Sequence, residues 1–334
     1  MLSKKLAIDL GTANSIVYVR GKGIVLMEPT VVAVTQEGRK IQAIGSSAKK
    51  MLGRTPEDIE ALKPLKSGVI ADYQVTEVLL RYLITESIGK SRFVKPDVVI
   101  SIPAGATSVE SRAVLDAAYA AGAKKAYLVP EPLAAAIGAD LPVSRPSGNI
   151  IVNIGGGTTE IAVVSLYGIV VHGSVRVGGN SFDESIVQYL RREHGLVIGE
   201  ETAEGVKINL GTAMTPTSSD IIEVKGRDSV TGFPRIVEVS SEEINACMER
   251  DLERIAMAIK DVLESTPPEL SSDILDKGIV LSGGSSQLKD LDKYISNYIG
   301  VPTHLADEPI LCVIKGLGRV LDHLDEFSKS MIQR

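Results

Sequence analysis

The sequence contains no tryptophan, four phenylalanines, four histidines and two cysteines among its 334 residues. Cys247 and Cys312 are 65 positions apart, which fits no metal or redox motif, so we expect two free thiols, buried or half-buried. No Ser/His/Asp, Cys/His or G-x-S-x-G arrangement of a nucleophilic enzyme is present. No apolar run reaches about 18 residues and no secretory pattern precedes the first strand, so we expect a soluble, internal protein.

The charge balance is slightly acidic. Lysine and arginine number 36 against 42 aspartates and glutamates, which gives a formal charge of −6. This balance argues against a generally basic surface, so we expect no nucleic-acid partner. With 44% hydrophobic residues the chain can form real cores, which excludes a disordered or collagen-like protein. At about 100 to 200 residues per domain, the length predicts two domains.

One stretch of the chain is repeated. Residues 6–19 lie over residues 150–163 at a constant offset of 144, and each copy consists of an apolar strand, a Gly/Thr turn and a second apolar strand. Similar turns at 20–25 and 166–171 then lead into third strands. The pattern favours a duplicated α/β unit over two glycine turns that are alike by chance.

Each copy of the unit is interrupted by an insertion. Short strand patterns at 31–34 and 41–44 interrupt the first copy, and the segment 183–239 interrupts the second. The stretch 142–148, rich in Pro and Ser, lies where the second copy begins and is the best linker of the chain. Near the end, we expect the glycine-containing stretch 314–318 to precede a terminal helix.

Three glycine-rich turns follow apolar strands, at residues 11–14, 155–158 and 283–286. Such turns expose backbone N–H groups that can bind an anion, although one turn alone is most often only a tight turn. In a two-unit α/β protein, three of them point to one cleft between the halves, suited to a polyphosphate. The P-loop and G-x-G-x-x-G patterns are absent, so the sequence predicts a nucleotide site of another kind.

Two carboxylates accompany these turns. Asp9 ends the first strand beside the first turn, where a carboxylate suits a hydrated Mg²⁺ that also takes phosphate oxygens. Glu131 is held between Pro130 and Pro132 at a strand-to-helix turn, a stiff mount that can orient a water molecule. The other interpretation of Glu131 is an acidic residue favoured by the helix dipole.

Five motifs carry a resemblance to a known family: residues 9–14 (DLGTAN), 131–138 (EPLAAAIG), 154–160 (IGGGTTE), 202–207 (TAEGVK) and 281–285 (LSGGS). Together they resemble the actin-fold ATPases, and within them the MreB family of bacterial actin homologues. The stretches GRTP, GVIADY and TPPEL are typical of that family, and the resemblance covers essentially the whole chain. Heat-shock chaperone ATPases and sugar kinases share the phosphate turns but not this set.

The resemblance implies an α/β protein with a duplicated actin-like (ribonuclease H-like) ATPase fold, in which two lobes each carry a small inserted subdomain. It also implies ATP and Mg²⁺ as cofactors. The expected subdomains are IA (1–30 with 65–144 and 310–334), IB (31–64), IIA (145–182 with 240–309) and IIB (183–239).

The resemblance also implies the roles of individual residues. Glu131 is expected to position the attacking water, with Thr158 and Asn153 beside it in the catalytic group. Glu204 and Lys207, one helical turn apart, are expected at the ribose and adenine. Asp9 and, through water, Asn153 are expected to hold the metal. The expected phosphate and adenosine loops are Gly11, Thr12, Ala13 and Asn14, then Gly155, Gly156, Gly157 and Thr158, then Gly283, Gly284, Ser285, Ser286 and Gln287.

Two positions depart from the family pattern. The family has Asp where this chain has Asn153, and the internal repeat places Asn153 opposite Asp9. An amide keeps the shape but removes one negative charge and presents a donor, so we expect ATP and Mg²⁺ to bind while hydrolysis is slow or absent. Ser285 stands where the family usually has a third glycine, which brings a side chain near the nucleotide.

The resemblance implies a location on the inner face of the cytoplasmic membrane. The N-terminus is too short for an amphipathic helix before the first strand, so the expected anchor is the loop 90–95. Phe93 and Val94 lie there among three cations and would insert into anionic lipid. The alternative is an ordinary loop with Phe93 packed into the core.

The implied function is an ATP-binding protein that polymerises into membrane-associated filaments. Such filaments, with membrane proteins of the cell-wall synthesis machinery as partners, organise wall synthesis and rod shape. Two alternatives stay open: a small-molecule kinase on the same fold, and an ATP-binding scaffold without turnover, which Asn153 favours.

Overall fold

The computed structural model describes residues 4–66, 68–89, 95–327 and 331–333. The first half of the chain contains, in order, β1 (Lys5–Leu10), β2 (Asn14–Val19), β3 (Gly23–Pro29), β4 (Val32–Thr35), β5 (Ile41–Ile44), α1 (Ser46–Lys49), β6 (Ile59–Leu62), β7 (Leu65–Lys66), β8 (Val69–Ile70), α2 (Tyr73–Ile88), β9 (Asp97–Ile102), α3 (Ser108–Ala120), β10 (Lys125–Pro130) and α4 (Glu131–Gly138).

The second half begins after the loop that holds the predicted linker. It contains, in order, β11 (Asn149–Ile154), β12 (Thr159–Ser165), β13 (Gly168–Val175), α5 (Gly179–Glu193), β14 (Leu196–Val197), α6 (Glu200–Leu210), β15 (Ile221–Asp228), β16 (Pro234–Ser240), α7 (Ser241–Glu264), α8 (Pro268–Lys277), β17 (Ile279–Ser282), a 3₁₀ turn (Gly284–Gln287), α9 (Leu291–Ile299), β18 (Thr303–Leu305), a 3₁₀ turn (Pro309–Leu311), α10 (Cys312–Asp322) and β19 (Ile332–Gln333).

Two large sheets confirm the duplication. One has the strand order β19-β10-β9-β1-β2-β3 and the other β13-β12-β11-β17-β18, so each contains an antiparallel three-strand unit followed by parallel strands. The register is also repeated: Asp9 lies opposite Ile16, and Asn153 lies opposite Glu160, which is the same pair moved by 144 positions. The two halves therefore share one folding plan, as the repeat predicts.

Small sheets lie within the predicted insertions. Strands β5-β4-β6 form one three-stranded sheet, and β14-β15-β16 form another. Their segments fall inside or at the edge of residues 31–64 and 183–239. The division into four subdomains with the stated bounds stays a prediction. Within the described residues, no helix is both long and apolar enough to cross a bilayer.

Helices α4 and α10 connect the two lobes. Helix α4 leaves the first sheet but packs on β11 and β12 of the second, whereas α10 comes from the second half and packs on β1. The helices cross at glycines, since a Cβ on Gly138 would lie 1.7 Å from the carbonyl oxygen of Cys312, and one on Gly316 would lie 1.8 Å from that of Ala134. This crossing fixes one side of the cleft described below.

The end of the chain differs from the expectation. The stretch 314–318 was expected before a terminal helix, but it lies inside α10, where Gly316 and Gly318 face neighbouring elements. Glycine disfavours a helix by about 1 kcal/mol, and here the close approach of α4 outweighs that preference. After α10 the described residues include a short strand, β19, that joins the edge of the first sheet beside β10.

Candidate functional site

The three glycine-rich turns line one cavity of about 560 Å³. The first turn joins β1 to β2, the second joins β11 to β12, and the third follows β17. Each turn comes at the carboxyl end of a strand of its sheet, and the two sheets face each other across the cavity. This volume lies in the range of small-molecule and cofactor sites, about 300 to 1,000 Å³.

The first two turns approach each other closely. A Cβ on Gly156 would lie 2.7 Å from the Cβ of Ala13, so the opposite turn leaves no room for a side chain at position 156. Beside them, the amide of Gly68 donates to Thr12 Oγ1 over 3.0 Å. Thr158, buried at the end of the second turn, also lines the cavity. The two predicted phosphate loops therefore form opposite walls of one narrow space.

A serine supports the polar side chain that ends each first strand. Ser101 donates to Asp9 Oδ1 over 2.8 Å, and Ser282 donates to Asn153 Oδ1 over 2.9 Å. These serines lie on β9 and β17, the equivalent parallel neighbours in the two sheets. Burial raises the pKa of Asp9 to about 6, and the Ser101 hydrogen bond opposes part of that shift. The duplication thus extends to side-chain hydrogen bonds.

Glu131 is the first residue of α4 and points into the same space. The amide of Asn153 donates to Glu131 Oε1 over 2.6 Å, across the two lobes. Burial raises the pKa of Glu131 well above its ordinary value, and the charges of Asp9 and Glu160 raise it further. Glu131 therefore lies within reach of other carboxyl groups, in a position where a cation would be favourable.

The carboxyl groups fit a Mg²⁺ ion that arrives with a phosphate. Among the described residues, no three His, Cys, Asp or Glu side chains converge to form a ready-made metal cluster. Mg²⁺ does not need one, since it keeps several waters and usually takes one or two carboxylates plus phosphate oxygens. Asp9 supplies such a carboxylate, and burial makes its charged form costly without a cation. Asn153 supplies no charge.

Two of the four charged residues of α6, Glu204 and Lys207, reach the cavity, and each lies beside an opposite charge. Lys49 donates to Glu204 Oε2 over 2.8 Å. Lys207 Nζ lies 2.8 Å from Asp183 Oδ1 and donates to the carbonyl of Gly179 over 3.1 Å. Glu204 and Lys207 line the same cavity as the glycine turns. The structure therefore brings both residues to the cavity that the three turns line, while their roles at the ribose and adenine stay a prediction.

Asp183 is a site residue that the sequence did not single out. It lies on the buried face of α5, next to Phe182 and one turn before Ile186. Burial raises the pKa of Asp183, although the charge of Lys207 opposes the shift. A charged residue in the apolar stripe of an amphipathic helix was the available signal, because such a residue is costly unless it is paired.

The third turn contains one residue that does not line the cavity. Gly283, Gly284, Ser285 and Gln287 line it, whereas Ser286 is buried and donates to the carbonyl of Gly283 over 2.6 Å. Ser285 donates to the carbonyl of Gly155 over 2.8 Å, so its side chain joins the second turn to the third. Its hydroxyl is thus part of the cavity wall.

Two predictions concern residues away from the cavity. Cys247 is half-buried and Cys312 is buried, and both are free thiols, as predicted. Phe93 and Val94, expected to contact the membrane, lie outside the described residues.

The cavity extends beyond the predicted contacts, towards the loop that follows α6 and the start of α7. Its further lining there includes Gly211, Thr212, Pro216, Thr217, Ser218, Asp220 and Ser241.

Two lobes built on one repeated unit, with paired glycine turns facing a shared cavity, define a duplicated actin-like fold. The structures of MreB5 of Spiroplasma citri bound to ADP and to AMPPNP superpose on this chain with TM-scores of 0.92 and 0.93. Both are 34% identical to it; the alignments cover 98% of this chain and 98% and 99% of theirs. The MamK double helical filament, at 24% identity and a TM-score of 0.82, shares the fold.

Sequence comparison gives the family. Residues 3–329 match the family model described as MreB/Mbl protein. The chain is 45% identical over 329 residues to the cell shape-determining protein Mbl of Bacillus subtilis (strain 168), covering 98% of this chain and 99% of that protein. It is 46% identical over 331 residues to the cell shape-determining protein MreB of Escherichia coli (strain K12), covering 97% of this chain and 95% of that protein. The chain belongs to the MreB/Mbl family, which confirms the resemblance.

Proposed function

We propose that this chain is an ATP-binding, filament-forming protein of cell-shape determination. The observation that carries the proposal is the cavity itself, in which three glycine turns and the pair Glu204 and Lys207 surround one space. MreB5, whose fold matches over nearly the whole chain, was crystallised with ADP and with AMPPNP. The curated relatives are named cell shape-determining proteins, and MamK, which shares the fold, forms a double helical filament.

The residues would divide the work of binding. The turns at 11–14 and 155–158 would bind the phosphates through backbone N–H groups, which need no side-chain bulk. Mg²⁺, held by Asp9 and by waters that Asn153 contacts, would neutralise phosphate charge. Glu204 would accept from the ribose, and Lys207 would lie against the base, with residues 283–287 on the opposite side.

Glu131 would orient the attacking water, with Thr158 beside it. The hydrogen bond from Asn153 occupies one oxygen of Glu131 and holds it towards the second lobe. The other oxygen of Glu131 can still accept from water, but the amide stabilises the carboxylate and so makes it a weaker acceptor for the proton of that water. We therefore propose that hydrolysis is slow. A scaffold that binds ATP without turnover is the second candidate, and this same hydrogen bond favours it.

Membrane attachment is the remaining part of the proposal. Phe93 and Val94 would insert into the inner face of the cytoplasmic membrane, next to cations that attract anionic lipid. A net charge of −6 would oppose anionic lipid if it were spread evenly, so the local cations matter. The wall-synthesis machinery would be the partner of the membrane-bound filament. Anionic vesicles should sediment the wild type and not the double variant Phe93→Ser/Val94→Ser; equal sedimentation excludes the anchor.

Assembly is tested by sedimentation with ATP and Mg²⁺, followed by electron microscopy of the pellet. The wild type and Lys225→Met, which changes an exposed lysine of β15, should form filaments. Lys207→Met should bind less nucleotide and should pellet less. Phosphorylation of a small molecule without any pelleted filament would support the kinase alternative instead.

A further inference from the structure

Three ion pairs join opposite sides of the cleft at its mouth. Lys49 lies 2.8 Å from Glu204, Arg54 lies 2.6 Å from Glu201, and Lys63 lies 2.5 Å from Glu200, each distance joining side-chain nitrogen to carboxylate oxygen. All three cations belong to residues 49–63 of the first insertion. All three carboxylates belong to the first five residues of α6, in the second insertion. The two insertions therefore meet through charge.

The innermost pair includes a residue of the nucleotide cavity. Glu204 lines the cavity, whereas Glu200 and Glu201 do not appear in its wall. Burial alone would raise the pKa of Glu204, but the hydrogen bond and charge of Lys49 outweigh it, and the pKa is lowered. Lys49 uses Oε2 of Glu204. A carboxylate has about four acceptor positions, so Glu204 can accept from Lys49 and from a ribose hydroxyl together.

The three pairs differ in their exposure to solvent. Lys49 and Glu204 have side chains that are each 41% exposed, whereas Arg54 and Glu201 are 62% and 58% exposed. An exposed pair of this kind contributes little alone, and salt screens it. The pairs share one helical turn and one opposing segment, however, so opening the mouth would break all three together.

We propose that Lys49 is a positioning residue of the nucleotide site: it holds Glu204 in place and, with the Arg54–Glu201 and Lys63–Glu200 pairs, forms a latch that slows nucleotide release. The inference rests on the proposed nucleotide binding and adds a regulator to it. Movement of the first insertion, for instance through contact with a neighbouring subunit, would act on the bound nucleotide through Lys49. Release would accordingly depend on ionic strength.

The test is the release rate of a fluorescent ATP analogue, measured after mixing the loaded protein with excess ATP. Lys49→Met should release the analogue about two- to fivefold faster than the wild type at low salt. Lys49→Arg should restore slow release because it keeps the charge. Lys50→Met is the matched control, since Lys50 is an exposed neighbour that forms no ion pair among the described residues, and its rate should equal that of the wild type.

The flanking pair gives an independent arm that leaves the nucleotide contacts unchanged. Arg54→Glu and Glu201→Arg should each speed release, and the double variant should return to the wild-type rate. At about 1 M salt, where charges are screened within about 3 Å, all rates should converge. Equal rates for Lys49→Met and Lys50→Met at low salt, with tight binding by the wild type, would overturn the latch alone. Absence of analogue binding by the wild type would overturn the proposed function, and the latch with it.

Discussion

Replacing Asn153 with aspartate exchanges one hydrogen-bond donor in the cleft for an acceptor. The bond from Ser282 to Oδ1, at 2.9 Å, survives the change because a carboxylate oxygen also accepts. The 2.6 Å bond from Nδ2 to Glu131 is lost and becomes a contact between two carboxyl groups. The substitution therefore removes the hydrogen bond to Glu131 and places a negative charge at the position equivalent to Asp9 in the repeat, while the strand keeps its shape.

The size of the effect follows from the lost bond. A hydrogen bond to a charged group contributes about 1.5–3 kcal/mol. If this bond stabilises the Glu131 carboxylate before proton transfer and is weakened in the transition state, removing the bond lowers the barrier by up to that amount, which corresponds to roughly 10- to 100-fold faster phosphate release. The added carboxylate is compatible with Glu131 only when a cation lies nearby, since like charges disfavour each other's ionised form. The gain should therefore require Mg²⁺.

The assay is steady-state phosphate release at saturating ATP, with and without Mg²⁺, for wild type, Asn153→Asp and Asn153→Ala. The alanine variant removes the donor without adding charge. Faster phosphate release by Asn153→Asp alone would assign the effect to the cation site, whereas faster release by both variants would assign it to the lost hydrogen bond. Mg²⁺ with ATP should also raise the melting temperature of Asn153→Asp more than that of the wild type. Unchanged release by both variants, with ATP bound, would show that Asn153 does not restrain hydrolysis.

Three further predictions concern stability. In Gly316→Ala a Cβ would lie 1.8 Å from a carbonyl oxygen of α4, so we expect a loss of at least about 1–3 kcal/mol in urea denaturation, whereas Gly205→Ala, with no atom near its Cβ, should be neutral or stabilising. Burial raises the pKa of Asp9 from its ordinary value of 3.8 to about 6, so in the nucleotide-free protein its ionisation should remove about 3 kcal/mol of stability as pH rises through that window, and Asp9→Asn should lose correspondingly less than the wild type. Asp183→Asn leaves the charge of Lys207 unpaired, and calorimetry should show a loss of about 3 kcal/mol; an unchanged melting temperature would mean that the pair is effectively solvated.

The sequence predicted the features that are local and repeated. The strand, turn and strand pattern of residues 6–19 recurs at 150–163, and the structure repeats even the pairing register. The turns were predictable because glycine after an apolar strand is a local pattern. Their meeting in one cavity followed from the duplication, since equivalent strand ends of the two units face each other.

The residues that hold the site were not predictable in this way. Lys49 and Glu204 are 155 positions apart, and each alone has the pattern of a solvated surface charge. Ser286 was expected at the cavity because it belongs to a glycine-rich turn, but a 3₁₀ turn directs its hydroxyl to Gly283. The helical stretch 314–318 was missed because its glycines oppose a helix locally, while tertiary packing against α4 requires them. In each case a distant partner decides the outcome.

Equivalent carboxylates of the two halves differ in their exposure to solvent. Glu131 follows β10 and precedes Pro132; by the register of the parallel strands, its counterpart after β18 is Glu308, which precedes Pro309. Glu131 is half-buried and accepts from Asn153, whereas the Glu308 side chain is 64% exposed and pairs with Lys315 at 2.6 Å. Asp9 and Asn153 differ in a second way: both are buried and each accepts a hydrogen bond from its own serine, but only Asp9 can carry a charge. The first half therefore supplies both the candidate water-orienting carboxylate, Glu131, and the candidate cation ligand, Asp9. We accordingly expect a single catalytic centre in the cleft. The second half contacts that centre through Asn153.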